Sequence, residues 1–559
     1  MCAADMYSSA EELYKTGLYS SFIELYPFIS STVTDIQFIN LMLYQGGSLQ
    51  CLKEYKRAEV EYQTALQQRK LLLKSKTKLV EADGTVFSEI EIKYRIHECY
   101  LGMGQTNQAV NLLQNIPAKQ RNTKINNALG KLYHQSGLEK PAIAAYREVI
   151  KECPLALEAV KGLLQMGVTA REIQEVVGEN KPGDISWYSS YITSLSALYA
   201  QDYKTCIREC KQLENRQELR GNVSLLVTQG QAHYWAGDDE QARLVLQRTA
   251  SLDRLLLTGM DTLAAILSKL NRTKELDILA SRLLAISEER PEPWIAVGHY
   301  CHKNKNYKRA VYFAHKACLL DTRNVEALLL KGNMFLDLKK YRDAMNHFRE
   351  AKQIAPNRYE AHQGMVECNI GLLRQREAIT IATGACKQLG NSPRSLTLYA
   401  SVLLKEPLAV ARAKTLLERA SSGGYLPAIY LLVELLEREG AQDKAIDLLK
   451  KTLVHQNTCR LQQLLADLLA KQGLEEAAME HYSLALSLDP ENEGAKSGIH
   501  KMESASEGGL EASYDIEMAE FGSSHESLGR GSPGPPHDPE DSETEAVWSD
   551  GDLNIMGAS

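Results

Sequence analysis

The chain has 559 residues, of which 44% are hydrophobic and 24% charged, with a formal net charge of −7. These are proportions of a folded chain in water, and no apolar run approaches the roughly 20 residues that a membrane-spanning helix requires. From Glu503 onward there are 14 acidic residues and one basic, Arg530, so a near-neutral body carries an acidic tail and neither part is expected to bind nucleic acid or a membrane.

The first stretch, Met1 to Gly17, has neither a basic segment nor a long apolar one, so no secretory leader is expected and the chain is read as intracellular. Residues 1–38 contain two helical pieces, AEELYKTG and SFIELYPFI, which are expected to form a helical cap or a degenerate repeat. From Ile39 a period near 34 sets in, with Gly46, Tyr55, Ala58, Tyr62 and Ala65 at places 8, 17, 20, 24 and 27 of a block. An array is expected over 39–160, interrupted at 73–88 by LKSKTKLVEADGTVFS, whose turn signal at Asp83-Gly84 suggests a mobile insertion. Residues 161–222 are irregular, with a breaker at Lys181-Pro182-Gly183-Asp184, and the period returns over 223–492. From 493 to 559 Ser, Gly, Pro and acid dominate, a composition that buries too little apolar surface to fold, so a disordered acidic tail is expected.

Two consecutive blocks show the period best, Pro291 to Asn324 and Val325 to Arg358. The second has Gly332 at place 8, Phe335 and Tyr341 at 11 and 17, Ala344 at 20, Phe348 at 24, Ala351 at 27 and Pro356 at 32. This is the tetratricopeptide pattern. Small residues at 8 and 20 let two antiparallel helices approach, a ring at 24 fills the gap, and proline at 32 is expected to stop the second helix. The fold class is therefore all-α, a right-handed superhelical tetratricopeptide-repeat solenoid whose units stabilise one another by stacking.

No catalytic, cofactor or metal site is read. The chain lacks the phosphate-cradling, dinucleotide, nucleophile-elbow and HExxH motifs. The 11 cysteines form no CxxC pair, and Cys206 and Cys210 fall at core places 20 and 24, which suits packing. His299 and His302 share a helix face near Trp294 without an acidic or cysteine ligand at suitable spacing, and Trp294 at place 4 reads as core. A solenoid binds on its concave face, lined by places 2, 5, 9 and 12 of the first helix. The groove-lining candidates are His299, His302, Leu329, Asn333, Gln363 and Glu367, with Glu292, Glu326 and Glu360 at place 2. A chaperone-binding carboxylate clamp would need Lys where Leu329 stands and Asn where Gly364 stands, so a co-chaperone or other peptide-binding adaptor is the alternative reading.

Spaced blocks carry a closer likeness: ALQQRK (65–70), SEIEIKYRIHECY (88–100), CPLALEAVKGLL (153–164), EPWIAVG (292–298), SLTLYASVLLKEP (395–407), AKTLLERA (413–420) and YSLALSLDP (482–490). On these the chain resembles the subunit-seven family of the anaphase-promoting complex (cyclosome), a ubiquitin ligase of the cell cycle. The resemblance implies a non-catalytic scaffold without cofactors, located in nucleus and cytoplasm and at the spindle. It also implies a homodimer through the N-terminal repeats and stacking on the other tetratricopeptide subunits, notably subunit three, with small helical subunits alongside. In the tail, Ser532 before Pro533 and Ser542 and Ser549 among acids are phosphorylation candidates.

Overall fold

The first helices share a recurring turn at their ends, the helix Pro393–Leu403 excepted. The amide after the turn reaches back five residues, as in Leu18 N to Leu13 O (2.9 Å), Asp238 N to His233 O (2.9 Å), Asn306 N to Cys301 O (2.9 Å) and Lys340 N to Phe335 O (2.8 Å). The residue before that amide is left-handed, which is the closure that satisfies a helix's last carbonyls. The left-handed residues Gly237, Asn271, Lys305, Lys339 and Leu373 stand 34 apart. The computed structural model describes residues 3–74, 87–178 and 187–502. The core of the expected insertion at 73–88, the breaker at 181–184 and the segment from 503, with Ser532, Ser542 and Ser549, lie outside the described residues.

Among the described residues every regular element is a helix, in two units, 1–441 and 442–559. In the first, Gly17 (φ 81°) makes the same turn between Ala3–Lys15 and Tyr19–Ile29. The N-terminal stretch is therefore a helix pair of the repeat kind, packing Ala10, Phe22 and Ile29 on Leu41 and Tyr44. Leu157–Gln165 and Ala170–Val177 form a short pair closed at Gly167, with Val168 N on Leu163 O at 3.1 Å. Tyr188–Tyr199 and Tyr203–Glu214 follow around Gln201, so the irregular region keeps the two-helix plan with a shortened second helix. In the second unit Cys459–Lys471 and Glu475–Leu488 pair around Gly473, and residues 493–502 are helical with Ala495 buried. Helical structure thus runs about ten residues past the boundary expected at 492.

The second helix stops at place 31 with or without proline. Ala355, before Pro356, leaves the helical region (φ −132°), but Asp253, Ser287 and Asp321, which precede no proline, are extended there too. In those units the side chain accepts an amide two residues on: Leu255 N to Asp253 Oδ1 (2.9 Å), Glu289 N to Ser287 Oγ (3.2 Å) and Arg323 N to Asp321 Oδ1 (3.0 Å). Such a local turn offers the backbone an alternative to the helix, so proline is not required to end it.

Packing also revises why place 8 is glycine. A Cβ on Gly332 would stand 2.7 Å from the Phe348 ring, and one on Gly364, in the next unit, 2.4 Å from the same ring. Tyr146 repeats this between Gly130 (2.6 Å) and Gly162 (2.7 Å). The close neighbour is the place-24 ring rather than the place-20 alanine, and one ring locks two successive units together. Place 4 has its own role. Trp294 Nε1 donates to Glu288 O (2.9 Å) and His362 Nε2 pairs with Pro356 O (2.9 Å), each six residues back, bracing the loop between units.

Gly364→Ala is expected to lower stability by about 1–3 kcal/mol through overpacking. In a Phe348→Leu background the added cost should shrink, read as the difference in urea midpoints among the four variants.

Candidate functional site

The sequence-read lining residues lie on three successive first helices, Pro291–Lys303, Val325–Asp337 and Tyr359–Gly371, and differ in what they offer. His299 and Leu329 are buried. Burial, with the charges of His302 and Lys303 nearby, pushes the His299 imidazole down to about 3, so it is neutral in the cell. His302 Nε2 lies 2.6 Å from Asp337 Oδ2, and Gln363 Nε2 donates to Glu367 Oε1 at 2.8 Å. Asn333 is exposed. Among the described residues no group of three or more His, Cys, Asp or Glu is arranged to hold a metal ion. Cys206 and Cys210 are fully buried, while Cys51 and Cys153 are exposed.

The most developed arrangement lies beside them, at the starts of the first helices. Arg358 Nη2 donates to Glu326 Oε1 (2.6 Å) and its Nε to Glu360 Oε2 (3.2 Å), while Arg394 Nη2 donates to Glu360 Oε1 (3.1 Å). Both arginines are buried. The chain of ion pairs thus runs through three consecutive units. Burial alone would raise the Glu360 carboxyl, but Arg358 and Arg394 outweigh it and hold it at about 2. Burial likewise works against the Arg358 charge, and Glu326 and Glu360 more than compensate. Arg394 also lies 4.1 Å from the Tyr359 ring centroid.

The cluster reaches across the solenoid to residues about 160 positions earlier. Arg394 Nη1 donates to Trp235 O (3.2 Å) and Tyr234 O (3.5 Å), two carbonyls of the last turn of Val223–Ala236. A guanidinium there complements the negative end of the helix. A Cβ on Gly237 would stand 2.8 Å from Arg394 Cδ, so glycine serves both the turn and the approach. Arg358 also lies 5.7 and 5.4 Å from the Tyr234 and Trp235 rings. Asn357 Nδ2 to Tyr199 O (3.4 Å) and Gln201 Nε2 to Gln388 O (3.3 Å) add cross-turn contacts. Chemically the arrangement can anchor and shape but not react: each charge is committed to a partner on the same chain.

Asp261 is the exception on this face. Burial, then the nearby Glu326 carboxylate, pushes its carboxyl up to about 7, with only the Thr262 amide and hydroxyl bonded to it. Sequence reasoning named Glu326 and Glu360 as lining but missed Arg358, Arg394 and Asp261. The available signal was an Arg-x-Glu spacing, Arg290 with Glu292 and Arg358 with Glu360, 68 residues apart. Arg290 Nη2 to Glu292 Oε1 (2.7 Å) confirms that it marks a pair.

The tetratricopeptide repeat family model matches residues 123–154, 325–358 and 460–492. "Anaphase-promoting complex subunit 7" of Homo sapiens is 36% identical over 477 residues, covering 83% of this chain and 84% of that protein. The chain belongs to the anaphase-promoting complex subunit 7 family. The relative of that name in Arabidopsis thaliana is 26% identical over 528 residues, 89% of this chain and 93% of its own length. The crystal structure of the APC/C hetero-tetramer Cut9-Hcn1 matches with a TM-score of 0.58 at 15% identity, over 89% of this chain and 96% of that one. At that identity the likeness speaks for the fold alone, the stacked helix pairs described above.

Two outcomes follow for this subunit 7 family member. Glu360→Gln leaves two buried guanidiniums short of a partner, an expected loss of roughly 3–5 kcal/mol in chemical denaturation. Asp261 holds its proton more tightly folded than unfolded, so its contribution is present below the ordinary carboxylate range and is lost as pH rises from about 4 through about 7. Asp261→Asn should flatten that fall in a series of melting temperatures across the window.

Proposed function

We propose that the chain is a non-catalytic tetratricopeptide scaffold subunit of the anaphase-promoting complex, supporting assembly of the ligase that ubiquitinates cell-cycle proteins. The observation that carries this reading is family membership over 83% of the chain. The geometry is consistent with it: the buried charges of the groove are paired within the chain and maintain shape. The other tetratricopeptide subunits, notably subunit three, and small helical subunits are the partners of this reading. Its locations are nucleus, cytoplasm and spindle. No helix among the described residues is long and apolar enough to cross a membrane.

The same reading includes a homodimer made by residues 1–160. Its support is the apolar surface of the first helix pairs: Phe28 is 76% exposed, and Leu18, Ile36 and Val60 also face solvent. Burying one such end on each of two copies is the economical way for a solenoid to cover it. Phosphorylation at Ser532, Ser542 or Ser549 would add charge to a segment outside the repeats.

Affinity purification of the tagged full chain under native salt should bring down cullin and RING subunits; recovery of a chaperone ending in an acidic peptide instead would favour the co-chaperone alternative. Light scattering should give a dimer for the full chain and a monomer once residues 1–160 are removed, and a dimer that persists places the contact elsewhere.

A further inference from the structure

One edge of the first unit carries a charge excess that the scaffold does not use. The turns joining first and second helices in four successive units, 269–275, 303–309, 337–343 and 371–377, contain twelve Lys and Arg against four Asp and Glu. Neighbouring turns are in contact, so their charges form one strip. Lys303 Nζ donates to Asn271 Oδ1 (2.7 Å), His302 meets Asp337 at 2.6 Å, and Gly371 packs on the Tyr341 ring. The strip is bounded on one side by the acidic turn of Asp238, Asp239 and Glu240, where Lys269 Nζ pairs with Asp239 at 2.5 Å. On the other, the turn at 403–409 has one Lys and one Glu.

Within it Lys305, Lys308, Lys339 and Lys340 are exposed and have no acidic partner within 4 Å among the described residues. Leu373 is 91% exposed in a left-handed conformation (φ 59°), and Leu338 is also exposed. Leucine at positive φ is disfavoured; the turn's backbone hydrogen bonds hold it there, while its exposed side chain packs on little of its own chain. Carboxylates and leucines interspersed with the cations suit a polypeptide better than a phosphate backbone, which a uniformly basic surface would favour.

We propose that this edge receives the acidic C-terminal segment, residues 503–559, of a second copy of the chain. The proposal rests on the self-association reading above. The segment has 14 acidic residues and one basic, and it sets Val547 and Trp548 among acids, an apolar anchor for Leu373 and Leu338. Its 57 residues reach on the order of 190 Å when extended, and every copy can give and receive alike, as an isologous pairing demands. Individual exposed pairs are weak and screened by salt, so the contact depends on many at once. Phosphorylation of Ser542 or Ser549 would add up to about two charges each and tighten it.

The test mixes isotopically heavy and light full-length chains, lets them exchange, and applies a zero-length carboxyl-to-amine cross-linker. The expected result is links between chains from residues 503–559 to Lys305, Lys339 and Lys340, falling at least five-fold in 0.5 M salt. They should fall equally when Asp538, Glu540, Asp541, Glu543 and Glu545 are changed to amides, a variant that alters none of the described residues. Lys305→Glu with Lys340→Glu, checked for unchanged helicity, should do the same. Links confined to single chains, or to lysines elsewhere, overturn the proposal. Light scattering on the same mixture separates the two failures: a dimer without these links sinks the docking alone, and a monomer sinks the self-association reading with it. Competition by single-stranded nucleic acid at equal charge, with no competition by a peptide of residues 538–552, would also overturn it.

Discussion

Charges removed from water must be paired, and in this chain that demand ties distant parts together. Arg394 shares Glu360 with Arg358 while its other nitrogen reaches helix carbonyls about 160 residues earlier. A repeat protein built only of neighbour contacts is nearly one-dimensional, each unit leaning on the next. Here a second set of contacts crosses from one turn of the solenoid to another, so the first unit has tertiary structure as well as a sequence of pairs. A buried ion pair is weak support for stability in itself, because desolvation offsets much of the attraction. Its value lies in fixing one arrangement: an arginine in this site without Glu360 and the Trp235 carbonyl would be a buried charge with nowhere to go.

The local rules that build each unit are simple. In most units a left-handed residue ends the first helix, in several a ring at place 24 locks two units, and a proline or a short polar side chain often ends the second helix. Lys305, Lys339 and Leu373 show that the turn does not require glycine. Closure by backbone hydrogen bonds offsets a strain of roughly 1–2 kcal/mol at each. That tolerance leaves the turns free to vary in charge, and it is there that the cationic edge arises.

Much of this was legible in the sequence. The 34-residue spacing of Gly332, Ala344, Phe348 and Pro356 with their counterparts placed the regular array, and the blocks around Glu292–Gly298 and Ser395–Pro407 led to the family. The two N-terminal helices were expected as a cap or degenerate repeat, but their register escaped because their core uses Phe22 and Ile29 against Tyr44 at places the pattern does not specify, while the turn at Gly17 leaves no mark beyond one glycine. The groove cluster escaped for another reason. Arg394 and Trp235 are brought together by the curvature of several units, which no periodicity within a unit encodes. His362, which takes the place of Trp294 as the loop brace, shows how a conserved geometry can hide behind different side chains.

Arg394 holds one turn of the solenoid against another. Hydrogen exchange of the amides of Gly237 and Asp238 in the full chain with Arg394→Ala tests it most directly, since the substituted residue lies far away in sequence. Exchange faster by tenfold or more there, with the equivalent amides of Lys305 and Asn306 unchanged, is the result expected. Equal protection at Gly237 and Asp238 with and without the arginine would contradict it.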